Sequence, residues 1–184
     1  VDKSRKAELL IELIETQKWD QALVFTRTKH GADRLQKQLD KVDIKSKAIH
    51  GNKTQNNRMK ALDAFKNNRI KILVATDVMS RGIDVKEINL VINYDIPQDA
   101  EDYVHRVGRT ARANTKGEAV TLVNEKDMQR MRKIEELIES SVPKFNPPEE
   151  FGEGPVWREK SANSGGGKRK PFHNKKRKFH KPKS

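Results

Sequence analysis

Three arginines and a histidine lie within eight residues, as His105, Arg106, Arg109 and Arg112. On a continuous helix, positions 105, 109 and 112 would share one face. Gly108 could instead end the helix and leave Arg109 and Arg112 free to reach outward. Guanidinium groups repel one another, and each can donate two parallel hydrogen bonds to a phosphate. The segment therefore predicts a phosphate-binding cluster, with a solvated helix end bearing surface arginines as the alternative.

A second polar segment follows a short apolar run and contains Thr76, Asp77, Arg81, Gly82 and Asp84. Gly82 can adopt backbone conformations closed to other residues, which lets a ligand or a second backbone come close. The carboxylate of Asp84 could accept hydrogen bonds from a sugar hydroxyl. The alternative is an ordinary strand-to-helix connection in which Asp77 caps the next turn.

A third segment, residues 51–58, predicts the start of a helix with Thr54 as its N-cap. Free backbone N–H groups and the positive end of the helix dipole make such a start a natural phosphate site. Arg58, one turn into the helix, could add a second contact, and an ordinary capped helix is the alternative. Thr28 and Lys29 likewise follow an apolar run.

Short apolar runs alternate with amphipathic segments along most of the chain. The runs that predict strands are residues 22–26, 47–49, 72–75, 90–94 and 119–123. Helical spacing predicts a first helix at residues 5–14, a last helix at 126–139, and a helix that directs Met59, Leu62 and Phe65 inward. Strands that are apolar along their whole length indicate a parallel sheet covered by helices on both faces. Such α/β sheets bind ligands outside the carboxyl ends of their strands, where these polar residues lie.

The formal net charge of +13 over 184 residues is unevenly distributed. Residues 161–184 contain nine Lys/Arg and no Asp or Glu, which leaves +4 for residues 1–160. The basic residues of the tail are Lys168, Arg169, Lys170, Lys175, Lys176, Arg177, Lys178, Lys181 and Lys183. A polycation of this kind favours a nucleic-acid partner. A solubilising end and an anionic-membrane contact are the alternatives.

The absence of Cys excludes a disulfide framework and a Cys-ligated zinc site, and it suits a reducing cytoplasm, where we expect the protein to act. The five His residues show no metal-ligand spacing, so we expect no metal site. No apolar run approaches the roughly 18 residues of a membrane span, so we expect no membrane partner. The chain begins at Val1 without Met, and we expect it to derive from a longer protein.

Taken together and in order, the polar segments resemble the C-terminal RecA-like domain of DEAD-box RNA helicases over roughly residues 1–140. The matching segments are 23–29 for motif IV, 55–58 for QxxR, 75–84 for motif V and 105–112 for motif VI, HRxGRTxR. Position 111 is Ala where many members have Gly. Among bacterial members, the chain looks most like the RhlE type. The resemblance implies a doubly wound RecA-like fold, which we expect at residues 1–145. From Pro143 onward, proline and glycine break the helical and strand periodicity, which predicts a linker at 146–167 and a disordered, basic RNA-binding tail at 168–184.

The resemblance also implies an ATP site shared with a preceding domain. Arg109 and Arg112 would act as catalytic arginine fingers on the γ-phosphate of ATP, and Gly82 and Asp84 would complete the ATP-binding contacts. Such a finger can be worth on the order of a thousandfold in rate. His105 and Arg106 would couple the ATP and RNA sites across the interdomain cleft.

RNA is the second partner that the resemblance implies. The residues expected to contact it are Thr28, Lys29, Gly51, Arg58, Thr76 and Arg81, together with the basic tail. Contacts to the sugar-phosphate backbone give affinity without sequence preference.

The phosphate-binding sequence GxxxxGK[ST] is absent. We therefore expect ATP and Mg²⁺ to be held by an N-terminal RecA-like domain that precedes this chain, and we expect the chain alone to lack ATPase activity. The full-length protein would be an RNA helicase that unwinds short duplexes or remodels ribonucleoprotein. Two alternatives are a DNA helicase of the same superfamily and a non-enzymatic module that binds or anneals RNA.

Overall fold

The computed structural model of the chain describes residues 1–77, 88–110 and 117–157. Several predicted site residues lie outside these ranges, namely Arg81, Gly82, Asp84, Arg112 and the basic residues of 168–184. Within the described ranges, every helix is too short or too polar to cross a lipid bilayer.

In the described part of the chain, five parallel strands form one sheet in the order β2-β3-β1-β4-β5. Their bounds are Ala22–Phe25 for β1, Ser46–Ile49 for β2, Ile72–Ala75 for β3, Leu90–Asn93 for β4 and Glu118–Thr121 for β5. The central strand β1 pairs Leu23 with Leu73 of β3 on one side and with Val91 of β4 on the other. The chain leaves β1 and β4 in opposite directions across the sheet, and the carboxyl ends of these neighbouring strands flank the usual ligand crevice of such folds.

Helices cover both faces of the sheet, as the sequence predicts. Their bounds are Lys6–Thr16 for α1, Lys29–Asp40 for α2, Gln55–Lys66 for α3, Ala100–Val107 for α4 and Met128–Leu137 for α5. Short 3₁₀ turns lie at Lys3–Arg5, Glu125–Asp127 and Glu149–Phe151. The predicted N-cap at Thr54 is confirmed, because its hydroxyl accepts from the backbone N–H of Asn57 at 3.3 Å.

Successive side chains of each central strand pack against different helices. Val24 belongs to the core cluster that includes Leu10 of α1 and Leu35 of α2, whereas Phe25 belongs to the cluster that includes Phe65 of α3. This alternation follows from the two-residue period of a strand, and it explains why β1 is apolar along its whole length.

The inward face of α3 differs from the prediction. Met59 is 56% exposed, while Ala61 and Phe65 are buried and Leu62 is partly buried. Residues four apart share a helix face, so burial of Ala61 and Phe65 turns Met59 toward solvent. The prediction of an inward Met59 is wrong, because Met59 lies on the face of α3 opposite Ala61 although its spacing from Leu62 and Phe65 is helical.

The folded unit continues beyond residue 145, into the segment expected to be a linker. Phe151 is 8% exposed and joins the core cluster beneath α1, where the guanidinium carbon of Arg5 lies 4.5 Å from its ring centroid. Trp157 packs against the cluster formed by α4 and α5, with the Lys144 ammonium 4.3 Å from its ring centroid. Proline and glycine break the helical pattern here, yet the two aromatic rings have enough apolar area to dock the segment.

Replacement of Phe151 by Ala is expected to lower the free energy of unfolding by about 3 kcal/mol, since a buried ring is lost from the core. Phe145 provides a matched control, because it lies in the same segment and is 88% exposed. Its replacement by Ala is expected to change stability by less than about 0.5 kcal/mol. Urea denaturation of the two variants checks the difference, and equal stabilities would show that the segment is not docked.

Candidate functional site

Arg106 is buried at the carboxyl edge of the sheet, with 1% of its surface exposed. Its Nε and Nη2 donate to the two carboxylate oxygens of Asp77, at 2.6 and 2.8 Å. Its Nη1 donates to the backbone oxygen of Asp95 at 2.7 Å and to the side-chain oxygen of Asn93 at 3.0 Å. The guanidinium carbon also lies 4.9 Å from the ring centroid of Phe25. One guanidinium therefore joins the ends of β3, β4 and β1 to helix α4.

The cluster of cations that the sequence predicts is divided between the interior and the surface. Helix α4 ends at Val107, and the backbone N–H of Gly108 donates to the oxygen of Val104 at 2.8 Å. The structure thus agrees with a helix end at Gly108 rather than a continuous helix. The His105 side chain is 60% exposed, and Arg109 is partly exposed beyond the helix end. These two residues lie at the edge of the sheet, whereas Arg106 points inward.

A second buried charge network surrounds Asp127, which is 3% exposed. Its carboxylate accepts from Lys6 Nζ at 3.2 Å, from Arg27 Nη2 at 3.3 Å and from Arg130 Nη1 at 3.2 Å. Lys6 also donates to the backbone oxygen of Tyr94 at 3.0 Å. The network fixes Arg27, and with it the start of the loop after β1, to the first helix and to the end of β4.

Lys6 is fully buried, and burial lowers the pKa of its ammonium group, an effect that the carboxylates of Asp127 and Asp95 oppose. The sequence analysis missed Lys6, Arg27 and Asp127. A signal for Lys6 was present, because it lies on the same helical face as Leu10 and Ile14, four and eight residues ahead. A cation on an apolar stripe needs a buried partner, yet the spacing does not identify which carboxylate supplies it.

Thr28 and Lys29 lie at the start of α2, directly after β1, and both are exposed. The Thr28 hydroxyl caps the helix by accepting from the backbone N–H of Gly31 at 3.0 Å. The backbone N–H groups of this first turn therefore face the carboxyl edge of the sheet. Thr76, after β3, is 9% exposed and lies at the same edge.

The loop after β2 is held against α2 by Asp33. Its carboxylate contacts the buried His50 at 3.0 Å and Lys53 at 2.8 Å. Burial works against ionisation of Asp33, but the hydrogen bonds from Lys53 and His50 outweigh it and lower the pKa of the carboxyl group. Gly51 remains exposed, with open space where a side chain would project. A ligand backbone can therefore approach this loop closely.

The first turns of α2 and α3 contain no acidic residue, whereas the first turn of α4 contains Glu101 and Asp102. Acidic residues usually occupy first turns because they offset the positive end of the helix dipole. Two helix starts that lack them, with Lys29 and the half-buried Arg58 nearby, leave a positive field at one edge of the sheet. This arrangement suits a chain of phosphates.

Within residues 1–77, 88–110 and 117–157, no group of three or more His, Cys, Asp or Glu side chains could hold a metal ion.

The comparisons with known proteins agree with this geometry. The family of the helicase conserved C-terminal domain matches residues 5–114. The ATP-dependent rRNA helicase RRP3 of Eremothecium gossypii is 45% identical over 141 residues, which are 77% of this chain and 29% of that protein. This chain belongs to the C-terminal domains of DEAD-box RNA helicases. Assignment to the RhlE type stays a prediction.

Solved structures of DEAD-box proteins share the fold of this helicase domain. A crystal structure of a DEAD box protein from the hyperthermophile Methanococcus jannaschii is 41% identical, with a TM-score of 0.74 over 79% of this chain and 40% of that one. Dbp5 of Saccharomyces cerevisiae, bound to RNA and ADP BeF3, is 28% identical, with a TM-score of 0.71 over 77% of this chain and 38% of that one. The chain spans less than half the length of these relatives.

Replacement of Arg106 by Met is expected to destabilise the helicase domain by about 3 kcal/mol, because the ion pair with Asp77 is lost and the oxygens of Asn93 and Asp95 lose a donor. The matched change Arg109→Met, at the partly exposed cation three residues on, is expected to cost less than about 0.5 kcal/mol. Urea unfolding followed by circular dichroism measures both. Similar losses for the two variants would contradict the inward role of Arg106.

Replacement of Asp127 by Asn is expected to destabilise the domain by about 3 kcal/mol, since Lys6 and Arg27 lose the carboxylate that offsets their charge. The exposed Asp99, whose side chain makes no capping hydrogen bond, provides the control for the same chemical change. Asp99→Asn is expected to leave the urea midpoint unchanged. A loss at Asp127 no larger than that at Asp99 would refute the network.

Proposed function

We propose that this chain is the C-terminal half of an ATP-dependent RNA helicase, which contacts the RNA backbone and completes the active site for ATP. The observation that supports the proposal is that the residues assigned to RNA and to ATP lie at the same edge of the sheet. The exposed starts of α2 and α3, with Thr28 and Gly51, lie at the same edge of the sheet as the helix end that bears His105 and Arg109.

Phosphate stabilisation is the catalytic contribution that we assign to this domain. Arg109 extends past the end of α4, and the buried Arg106 fixes the helix that positions it. In the proposal, Arg109 and Arg112 donate to the γ-phosphate, and Gly82 and Asp84 contact the nucleotide. ATP would supply the phosphoanhydride bond and Mg²⁺ would shield its charge, and in the proposal a preceding domain would hold both. Guanidiniums aimed at charge that develops in the transition state lower the barrier to transfer.

RNA binding is assigned to the backbone N–H groups and hydroxyls at the starts of α2 and α3. In the proposal, Thr28, Lys29, Gly51, Arg58 and Thr76 contact sugar and phosphate rather than base edges, and Arg81 is included from its sequence position. Such contacts bind RNA without reading its sequence. The RNA-bound state of the related Dbp5 supports this assignment.

Coupling between the two ligands follows from the arrangement of α4. We assign the coupling to the exposed His105 together with the buried Arg106. The guanidinium of Arg106 joins α4, which Arg109 follows, to Asp77. Asp77 is next to Thr76, one of the residues assigned to RNA binding. A shift of the loop after β3 on RNA binding is therefore transmitted to the arginine at the ATP phosphates. The nine basic residues of the tail hold RNA nonspecifically, and this contribution weakens as salt rises because counterions compete.

The chain alone is expected to show no RNA-stimulated ATPase, and fusion to the preceding domain of its own protein is expected to restore it. In the fused protein, Arg109→Ala is expected to lower the turnover number on the order of a thousandfold, since a transition-state contact is lost. The exposed Lys133 provides a matched control, and Lys133→Ala is expected to leave turnover unchanged. A fused protein without ATPase, beside an active control helicase, would falsify the enzymatic proposal.

A further inference from the structure

We propose that the solvent face of α2 is a second RNA-binding surface, which holds RNA that continues past the contacts at the strand ends. This inference rests on the proposed function, because it takes the start of α2 as one of the RNA contacts. It adds a binding surface outside the helicase sequence motifs described above.

The outer face of α2 bears a continuous basic stripe. His30, Arg34, Lys37 and Lys41 are spaced by four, three and four residues and are all exposed. Residues at this spacing lie on one face of a helix, opposite the buried Ala32, Leu35 and Leu39. At 1.5 Å per residue, the stripe runs for about 17 Å from the carboxyl edge of the sheet.

The acidic residues of α2 do not neutralise this stripe, because both are engaged on the side of the helix that faces β2. Asp33 contacts His50 and Lys53. Asp40 accepts from the hydroxyl of Ser46 at 2.9 Å and from the side-chain amide of Gln36 at 3.2 Å. The outward face is therefore left cationic.

The cations of the stripe differ from those that hold the carboxyl edge of the sheet together. Lys6, Arg27 and Arg130 contact Asp127, and Arg106 contacts Asp77. In contrast, Arg34, Lys37 and Lys41 form no ion pair with any residue of 1–77, 88–110 or 117–157. Their charge remains available to an external anion.

The positive charge of residues 1–160 is concentrated in the same half of the sheet. Residues 29–71, which contain α2, β2 and α3, have twelve Lys/Arg and four Asp, a formal charge of +8. Since residues 1–160 carry +4, the rest of that region carries −4. A polyanion is therefore attracted to the half that contains the stripe and repelled from the other half.

Two features make the stripe unfavourable for the free protein. Like charges three or four residues apart repel one another, and Lys29 and His30 lie at the end of the helix where the dipole disfavours cations. RNA relieves both effects. An RNA chain is favoured over an acidic protein because the stripe begins beside Thr28, an assigned RNA contact, and phosphates repeat along a strand as the cations repeat along the helix.

The test measures the binding of RNA of two lengths to the full 184-residue chain. All nine tail cations are replaced by Gln in this parent protein, so that binding by the tail does not mask the result. The triple variant Arg34→Gln, Lys37→Gln, Lys41→Gln is titrated with oligouridylates of about 6 and about 20 nucleotides. At about 50 mM salt, we expect at least about tenfold weaker binding of the long RNA, with a salt slope shallower by about 2 for three lost contacts. Binding of the short RNA at the strand ends is expected to remain unchanged.

A matched control removes the same charge from the other half. The changes Lys3→Gln, Lys126→Gln and Lys133→Gln alter exposed lysines and are expected to leave binding of both RNAs unchanged. The swap Arg34→Lys, Lys37→Arg, Lys41→Arg keeps the charge and is expected to retain binding of the long RNA. Thermal melting checks that all variants remain folded.

The outcomes separate the two proposals. Equal weakening of long-RNA binding by the stripe and control triple variants would show an effect of net charge and overturn the proposed stripe. Unchanged binding of the long RNA by the stripe triple variant would also overturn it. Loss of short-RNA binding by the stripe triple would also overturn it, because the stripe would not be a separate surface. A parent chain that binds neither RNA would instead refute the proposed RNA-binding function.

Discussion

The guanidinium of Arg106 is the interaction on which the carboxyl edge of the sheet depends. The ends of β3 and β4 meet there and present oxygens that need donors, from Asp77 after β3 and from Asn93 and Asp95 at the end of β4. A planar group with five N–H donors can serve all three at once, which a lysine ammonium cannot do with the same geometry. Burial of that charge is tolerable because Asp77 offsets it and the ring of Phe25 covers one face.

Two arginines of one short segment are divided between the interior and the surface of the domain. Arg106 is used by the fold, while Arg109, three residues later, is left at the edge because Gly108 follows the end of the helix. Asp127 performs a similar structural role on the neighbouring side, where it fixes Lys6 and Arg27. The loops after β1 and β3 are therefore each held by an ion pair to one buried partner, Asp127 for Arg27 and Arg106 for Asp77. The residues next to those pairs, Thr28 and Thr76, keep defined positions.

Local features of the sequence predicted much of this architecture. Apolar runs predicted all five strands, Thr54 predicted a helix start, and Gly108 was one of two readings for the end of α4. Long-range pairing was not predictable, because Asp127 lies 100 residues from Arg27 and 121 from Lys6. Composition was also misleading near Phe151, where proline and glycine suggested a linker although the ring is buried. The roles of the predicted site residues stay a prediction, and the inward direction of Arg106 depends on contacts across the sheet that local sequence does not show.

The docked segment that ends in Trp157 has a practical consequence for the size of the autonomous folding unit. A protein cut at residue 145, where the sequence pattern decays, would lose the cover over Tyr103 and Met131 as well as the ring beneath α1. The newly solvated apolar surface would favour association between truncated molecules. A fragment of this domain that stays folded and monomeric therefore extends at least through Trp157.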